Sequence, residues 1–524
     1  MRSIVQLMTS ALILAATPAA AQLPPASNSR PVAPQLADAT PLPKDAPYPG
    51  TMVLEVDASD TRQRIVRVRQ TIPVAPEQRA AGEMLLLFPE WLPGNHAPRG
   101  QIEKLAGLVV SVDGKRVQWR RDSIDVFAFH IPVGANAREV TAEFQFLSAT
   151  AENQGRVVVT ERMMNLQPNS FSLYPAGWYT RAIPVQMSVT YPEGWTAATA
   201  LRGTPRGSSV AYAETDYDTL VDSPIFAGRY YKSWPLDPKV TLHAVADDPK
   251  ELAAKAEHIE AHRRLVREAD ALFGARHFDH YDFLLSITDE MGSIGLEHHR
   301  SSENGVDPGY FTKWDERPGE RNLLPHEYVH SWDGKFRRPA LLWTPDFRTP
   351  MQDDLLWVYE GQTQFWGYVL GARSGLYTKE QTLDAYARIA AFYDLFKGRS
   401  WRPMGDTTHD PIISARRPKG WSTWQRSEDY YNEGLLIWLE ADGIIRQKSG
   451  GRKSIDDFAR AFFGKTDGDW GVLTYDRQEV IDTLNGVVAH DWAAFLAERV
   501  DRTNAEAPKR GLELGGYRLA WSDQ

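Results

Sequence analysis

The stretch "NLLPHEYVHSWDGK" (residues 322–335) sets His326 and His330 four positions apart, with Glu327 directly after the first. At 3.6 residues per turn, positions i and i+4 share one face of a helix, so both imidazoles reach one point. Glu327 is turned by about 100° from His326 and stands beside that point rather than on it. That is where a base for a metal-bound water belongs. With 13 histidines in 524 residues, an H-E-x-x-H string arises by chance in roughly one such chain in fifty. The competing reading is a helix with two ordinary surface or core histidines, so the rest of the chain has to decide.

A catalytic zinc commonly takes three protein ligands and leaves the fourth position to water. The best third donor is Glu360, in "LLWVYEGQTQFWG" (355–367), a segment with helical spacing. An isolated helix Glu is usually a solvated side chain. Here Trp357, Tyr359, Phe365 and Trp366 surround it in sequence, which predicts burial. A buried carboxylate without a partner is expensive, and a metal would compensate it.

Outward from this centre, the chain divides by composition and period. Residues 1–21, "MRSIVQLMTSALILAATPAAA", carry Arg2, a short apolar run and an A-x-A ending, the pattern of a secretory signal peptide cleaved before Gln22. Export is expected, to the periplasm in a bacterium. No later stretch is apolar enough to span a membrane, and the chain has no cysteine with which to form disulfides. Its formal net charge of -9 becomes -10 when Arg2 leaves with the leader. An acidic protein without a Lys/Arg-rich run argues against nucleic acid as a partner. No oligomeric state follows from the sequence.

Residues 22–48 are rich in proline and alanine and read as a linker without a fold of its own. From 49 to 240 the pattern is period-2 and β-branched, as in "RIVRVRQTIPV" (64–74), and Asp113-Gly114 between two alternating runs signals a hairpin. This predicts an all-β domain of two packed sheets. From 241 to 505 the period becomes helical, with one strand, "YDFLLSITD" (281–289), before the loop that carries Glu297. Residues 506–524, "KRGLELGGYRLAWSDQ" at their end, start a strand-like pattern that nothing completes. The fold class is therefore α+β: an N-terminal all-β domain followed by a mainly helical one.

Four motifs in order, "GSIGLEHH" (292–299), "HEYVHSWDGK" (326–335), "LWVYEGQTQFWG" (356–367) and "DYYNEGLLIWLEAD" (429–442), resemble those of the glycyl aminopeptidase family of zinc metallopeptidases. The resemblance implies a thermolysin-like catalytic domain at 241–505 behind an N-terminal β-domain. It makes His326, His330 and Glu360 the ligands of one Zn2+ per chain and Glu327 the general base. It matches Glu297 to a glutamate that holds the substrate's free α-amino group, and Tyr431 to a tyrosine that supports the oxyanion. It implies peptides with a free N-terminus as substrates, with a preference for Gly and Ala at that end. Family members commonly continue into a C-terminal PDZ-like domain, at whose threshold residues 506–524 stand.

Each residue has an alternative reading. Glu297 could be a loop carboxylate pairing with Arg300. Tyr430 stands beside Tyr431, and one of the two belongs to the core. His298 and His299, adjacent in an extended loop, point in opposite directions and are left out of the metal site. His96 in "PGNHAPRG" reads as a polar loop residue, and Asp333 as an acceptor behind the second histidine. The alternatives at the level of the protein are a zinc endopeptidase with a structural Glu297 and a peptide-binding protein that has lost catalysis.

Overall fold

The period-2 runs become strands with one buried face. In the computed structural model β1 (Met52–Asp57) alternates buried and exposed side chains along its whole length, and β2 (Ile65–Pro73) pairs with it antiparallel. The structure describes residues 40–503 and 506–522, together with 29, 31–34 and 38. The expected leader at 1–21 lies outside these residues.

Three further elements of the β region matter for the site: the short hairpin of β3 (Trp91–Leu92) and β4 (Ala97–Pro98), and β5 (Leu105–Val112), which turns into β6 (Lys115–Val117). Asp113 and Gly114 hold φ of 46° and 78° in that turn, the left-handed pair that a two-residue hairpin requires. The β3–β4 hairpin stands apart, while β5 and β6 join β1, β2, β7 (Glu139–Leu147) and β8 (Pro184–Thr190) in a nine-stranded sheet, ordered 203–206, 209–212, β8, β1, β2, β7, β5, β6, with 215–216 pairing β8 off the path. A four-stranded sheet packs on it. Met52, Leu54 and Phe144 of the first share one core with Met84, Leu86 and Phe129 of the second.

The stretch expected to be a free linker is tied down before β1. The Lys44 amide donates to the Gly177 carbonyl at 3.2 Å and the Tyr48 amide to the Ala182 carbonyl at 2.9 Å. The Tyr48 ring meets Trp178 edge-on at 4.9 Å. Composition hid this because one buried aromatic residue anchors an otherwise featureless segment.

The second region opens with β9 (Tyr230–Asp237) and β10 (Val240–Ala246), crosses by helix α1 (Ala256–Phe273) to β11 (Tyr281–Ile287), and ends its sheet with β12 (Gly295–Glu297) and β13 (Ser301–Val306). The sheet order is β9-β10-β11-β13-β12. β10, β11 and β13 are parallel; β11 and β13 are buried along their whole length, β10 and β11 mainly through apolar side chains and β13 through Ser301, Ser302, Glu303 and Asn304. β12 is an antiparallel edge strand. Helices follow: α2 (Leu323–Val329), α3 (Leu356–Ser374) and α4 (Asn432–Ser449) are the ones that carry the site. The strand expected after residue 506 is not formed. A helix, α5 (Arg510–Leu514), takes its place against α4, where a Cβ on Gly511 would stand 2.7 Å from the Glu440 amide nitrogen. The alternation of Leu512 and Leu514 mimicked a strand, whereas the helix packs through Gly511 against the backbone of α4 at Glu440, about seventy residues earlier in the chain.

Candidate active site

α2 is a short helix with a buried backbone, its Leu324, Tyr328 and Val329 in the main core. That packing presents His326, Glu327 and, at the helix end, His330 to the opposite side. α3 comes unusually close because Gly367 has no side chain; a Cβ there would lie 3.2 Å from the His326 Cα. About two turns earlier α3 carries Glu360, 1% exposed. The same helix meets α4 through a second glycine contact, where a Cβ on Gly434 would lie 2.8 Å from the Gly361 Cα. The two contacts bring Glu360 under the histidines and Tyr431, at the start of α4, over them.

Three donor atoms converge. His326 Nε2 and His330 Nε2 are 3.2 Å apart, and Glu360 Oε2 lies 3.4 Å and 3.3 Å from them. Four ligands placed tetrahedrally at about 2.0–2.1 Å from zinc stand about 3.3 Å from one another, so this triangle has the size of one face of a zinc site. Glu360 Oε2 is buried and accepts no hydrogen bond, as a carboxylate oxygen reserved for a cation should. The Nδ1 of His330 donates to the Asp333 carbonyl at 2.9 Å, which leaves Nε2 as the lone-pair atom. Asp333 thus acts through its backbone; its carboxylate instead accepts from Thr363 Oγ1 at 3.3 Å. His326, His330 and Glu360 form a group able to hold a metal ion. Glu360 and Glu297 can also be grouped with His96, but the 2.7 Å from His96 Nε2 to Glu360 Oε1 is a hydrogen bond, too short for two ligands of one zinc.

Glu327 stands beside the triangle. A Cβ on Gly295 would be 2.5 Å from its Oε1, so the glycine makes room for the carboxylate. Burial raises the Glu327 carboxyl to about 8; His330 opposes this, and Glu297 and Glu360 add to it. A bound cation would draw it back down. For Glu360 burial also pushes upward, but His330 above all, with His326 and His96, holds it well below the usual carboxylate range. Three buried carboxylates around two imidazoles form a site that suits a divalent cation.

Glu297, 3% exposed on the edge strand β12, accepts from Tyr359 Oη at 2.5 Å. Its other oxygen lies 2.8 Å from where a Cβ on Gly94 would be. It does not pair with Arg300, which turns to Asp279 at 3.4 Å. Tyr431 lines a cleft of about 580 Å³ together with His326, Glu327, Gly295, Gln364 and Arg416. Its ring centroid is 6.0 Å from that of His326. Tyr430 is fully buried, and its hydroxyl faces no partner. His298 and His299 stay out of the metal group, His298 bonding Asp222 and Glu303 instead.

Sequence reasoning missed His96. It is a turn residue, as read, but it is 0% exposed and holds Glu360 from the β-domain side. The β3–β4 hairpin delivers it, with Gly94 at φ 77° and His96 at φ 52°. Tyr359, which holds Glu297, was quoted only as an apolar neighbour. The "PGNH" turn was the available signal for the first, and nothing local signalled the second.

The M61 glycyl aminopeptidase family model matches residues 319–437, and the peptidase M61 N-terminal domain model matches residues 53–229. Among solved structures, an aminopeptidase N family protein from Idiomarina loihiensis superposes with a TM-score of 0.72 at 19% identity, covering 88% of this chain and 78% of that one. Leukotriene A4 hydrolase from Saccharomyces cerevisiae gives 0.51 at 14% identity, covering 88% and 69%. A mutant M1 zinc metallopeptidase from Deinococcus radiodurans, bound to a Tyr-Ser-Ala substrate, gives 0.50 at 12% identity, covering 88% and 96%. These likenesses show the fold. Comparison with curated proteins finds no match.

Proposed function

Since the chain belongs to the M61 glycyl aminopeptidase family of zinc peptidases, we propose that it is an exported aminopeptidase that releases small residues, Gly and Ala, from peptide N-termini. The observation that carries the catalytic part is the 3.2–3.4 Å triangle of His326, His330 and Glu360 with Glu327 beside it. Zinc held by these three supplies a Lewis acid that lowers the pKa of water to about 7 and polarises the scissile carbonyl.

The remaining steps belong to the chain's own groups. Glu327, in the cleft and without a hydrogen-bond partner on Oε2, takes the proton of the attacking water and returns it to the leaving amine. The Tyr431 hydroxyl donates to the oxygen that becomes negative. Glu297, buried and oriented by the Tyr359 hydroxyl, grips the substrate's ammonium. That anchor fixes the register so that only the first peptide bond reaches Glu327. His96 fixes Glu360 from outside, as partners of a ligand commonly do. The preference for small residues rests on the family, and export on the leader at 1–21.

The test is metal analysis joined to a specificity assay. The purified protein should hold about one zinc per chain, lose activity to a chelator, and cleave Gly- and Ala-initiated peptides faster than Leu- or Phe-initiated ones. An active metal-free preparation would end the catalytic reading, and a preference for bulky residues would end the specificity claim alone.

A further inference from the structure

Two tyrosine hydroxyls serve the site, and they differ in where their protons go. Tyr359 Oη donates to Glu297 at 2.5 Å. The Tyr431 hydroxyl has one hydrogen-bond partner among the described residues, Arg416, whose Nη2 lies 3.4 Å away. A guanidinium only donates, while a tyrosine hydroxyl carries one proton and lone pairs that accept. The contact therefore has a single direction: Arg416 donates, the Tyr431 oxygen accepts, and the Tyr431 proton is left for another acceptor.

Arg416 is held in that place against the preference of its own backbone. Ala415 and Arg416 hold φ of 51° and 56°, two consecutive residues with side chains in the left-handed region, which the surroundings have to enforce. The loop is braced on both sides of them, because the fully buried Asp410 pairs with Arg402 at 2.9 Å and with Lys419 at 2.5 Å. Glu428 completes the support. Its Oε1 lies 3.3 Å from Arg416 Nε, and its backbone carbonyl accepts from the Tyr431 amide at 3.3 Å. One acid thus ties the guanidinium to the backbone that carries the tyrosine, and all three residues line the cleft with His326 and Glu327. Strain of this kind lowers stability and points to a use in the cleft.

We propose that Arg416 is a positioning residue for the reaction: it directs the Tyr431 proton onto the oxygen of the scissile carbonyl and, through the tyrosine, supports the negative charge that develops there. This rests on the reading of Tyr431 as the oxyanion donor. Two effects follow from the one contact. With the arginine occupying a lone pair, the hydroxyl has no acceptor on that side, so its proton is oriented before the substrate arrives. A hydrogen bond received by the tyrosine oxygen also polarises its O–H, and a charged donor does so more strongly than a neutral one. Both effects are small while the carbonyl is neutral and largest once it is an oxyanion. Arg416 therefore acts on turnover rather than on substrate binding.

The experiment measures kcat and KM for an Ala-initiated peptide with the full-length zinc-loaded protein, for Arg416→Met and Arg416→Lys, each alone and combined with Tyr431→Phe. Arg416→Met should lower kcat about tenfold, a fraction of what loss of an oxyanion donor costs, with KM and zinc content nearly unchanged. Arg416→Lys, again a cation that only donates, should recover most of the loss. In the Tyr431→Phe background Arg416→Met should cost little more, because the hydroxyl through which it acts is gone. A raised KM at unchanged kcat, or the same fold loss in both backgrounds, overturns the proposal. Should Arg416→Met fail to fold, Glu428→Gln carries the same cycle: it keeps the guanidinium and weakens its anchor, so kcat should fall in the wild type and not in Tyr431→Phe, and an equal fall in both overturns the proposal. If Tyr431→Phe lowers kcat while Arg416→Met does not, the oxyanion donor stands and only the role of the arginine falls; if Tyr431→Phe leaves kcat intact, both fall.

Discussion

At Glu327 and Tyr431 the account can be tested atom by atom. Glu327→Gln keeps the shape beside Gly295 and removes the base, so zinc content should persist while turnover is lost; His326→Ala should lose both. Metal analysis of the two variants side by side checks this, and equal loss of zinc would mean that Glu327 is a ligand. Tyr431→Phe should lower kcat more than it raises KM, since an oxyanion donor acts mainly in the transition state and is worth roughly 3 to 4 kcal/mol. Tyr430→Phe, in the core, is the control, and a larger kinetic effect there would reverse the choice. The chemistry-bearing residues of the HExxH stretch and Glu360 were legible because their spacing is local and their chemistry specific. Tyr431 was separable from Tyr430 only through the resemblance, as adjacent residues share every local signal; the cleft wall distinguishes them. His96 was not legible, because its partner is Glu360, far along the chain.

Among elements, the edge strand β12 and its partner β13 hold Glu297 in place through a buried network. His298 Nδ1 lies 3.1 Å from Asp222 Oδ1 and its Nε2 3.2 Å from Glu303 Oε1, while Lys335 Nζ is 2.9 Å from Asp222. Burial alone would lower the His298 imidazole, but Asp222 and Glu303 carry it up to about 9. A histidine whose folded pKa is raised stabilises fully below its unfolded pKa of about 6.5 and loses that contribution as pH climbs through about 9. Unfolding free energy should therefore fall by about 3 kcal/mol between pH 6.5 and 9 from this group, counted once with Asp222. Denaturation of wild type and His298→Gln at both pH values checks it. The variant should show a flatter dependence, and identical slopes would remove His298 from the network. The helices themselves were readable from their periodicity, as α1 and α3 were. Their close approach was not, because the Gly361–Gly434 and Gly367–His326 contacts depend on where other helices lie.

On the scale of the whole molecule, the β-domain is part of the active site and not an appendage to it. Its hairpin supplies His96 to Glu360 and brings Gly94 against Glu297. The order of an all-β region before a helical one was legible from the change of period near residue 245. That the two share one site was not, since a period reports which face is buried and never against what. The shared site makes a single prediction about what the enzyme cuts, and Glu297 decides it. Acetylating a peptide's N-terminus removes the cation and leaves a desolvated carboxylate unpaired, a loss of typically 2 to 5 kcal/mol. The measurement is kcat/KM for free and acetylated forms of one Ala-initiated peptide, with wild type and Glu297→Ala as a double cycle. The account predicts that wild type leaves the acetylated form nearly untouched, and that Glu297→Ala damages only cleavage of the free form, with zinc retained. Equal cleavage of both forms by wild type, or cuts at internal bonds only, would contradict it and make the enzyme an endopeptidase.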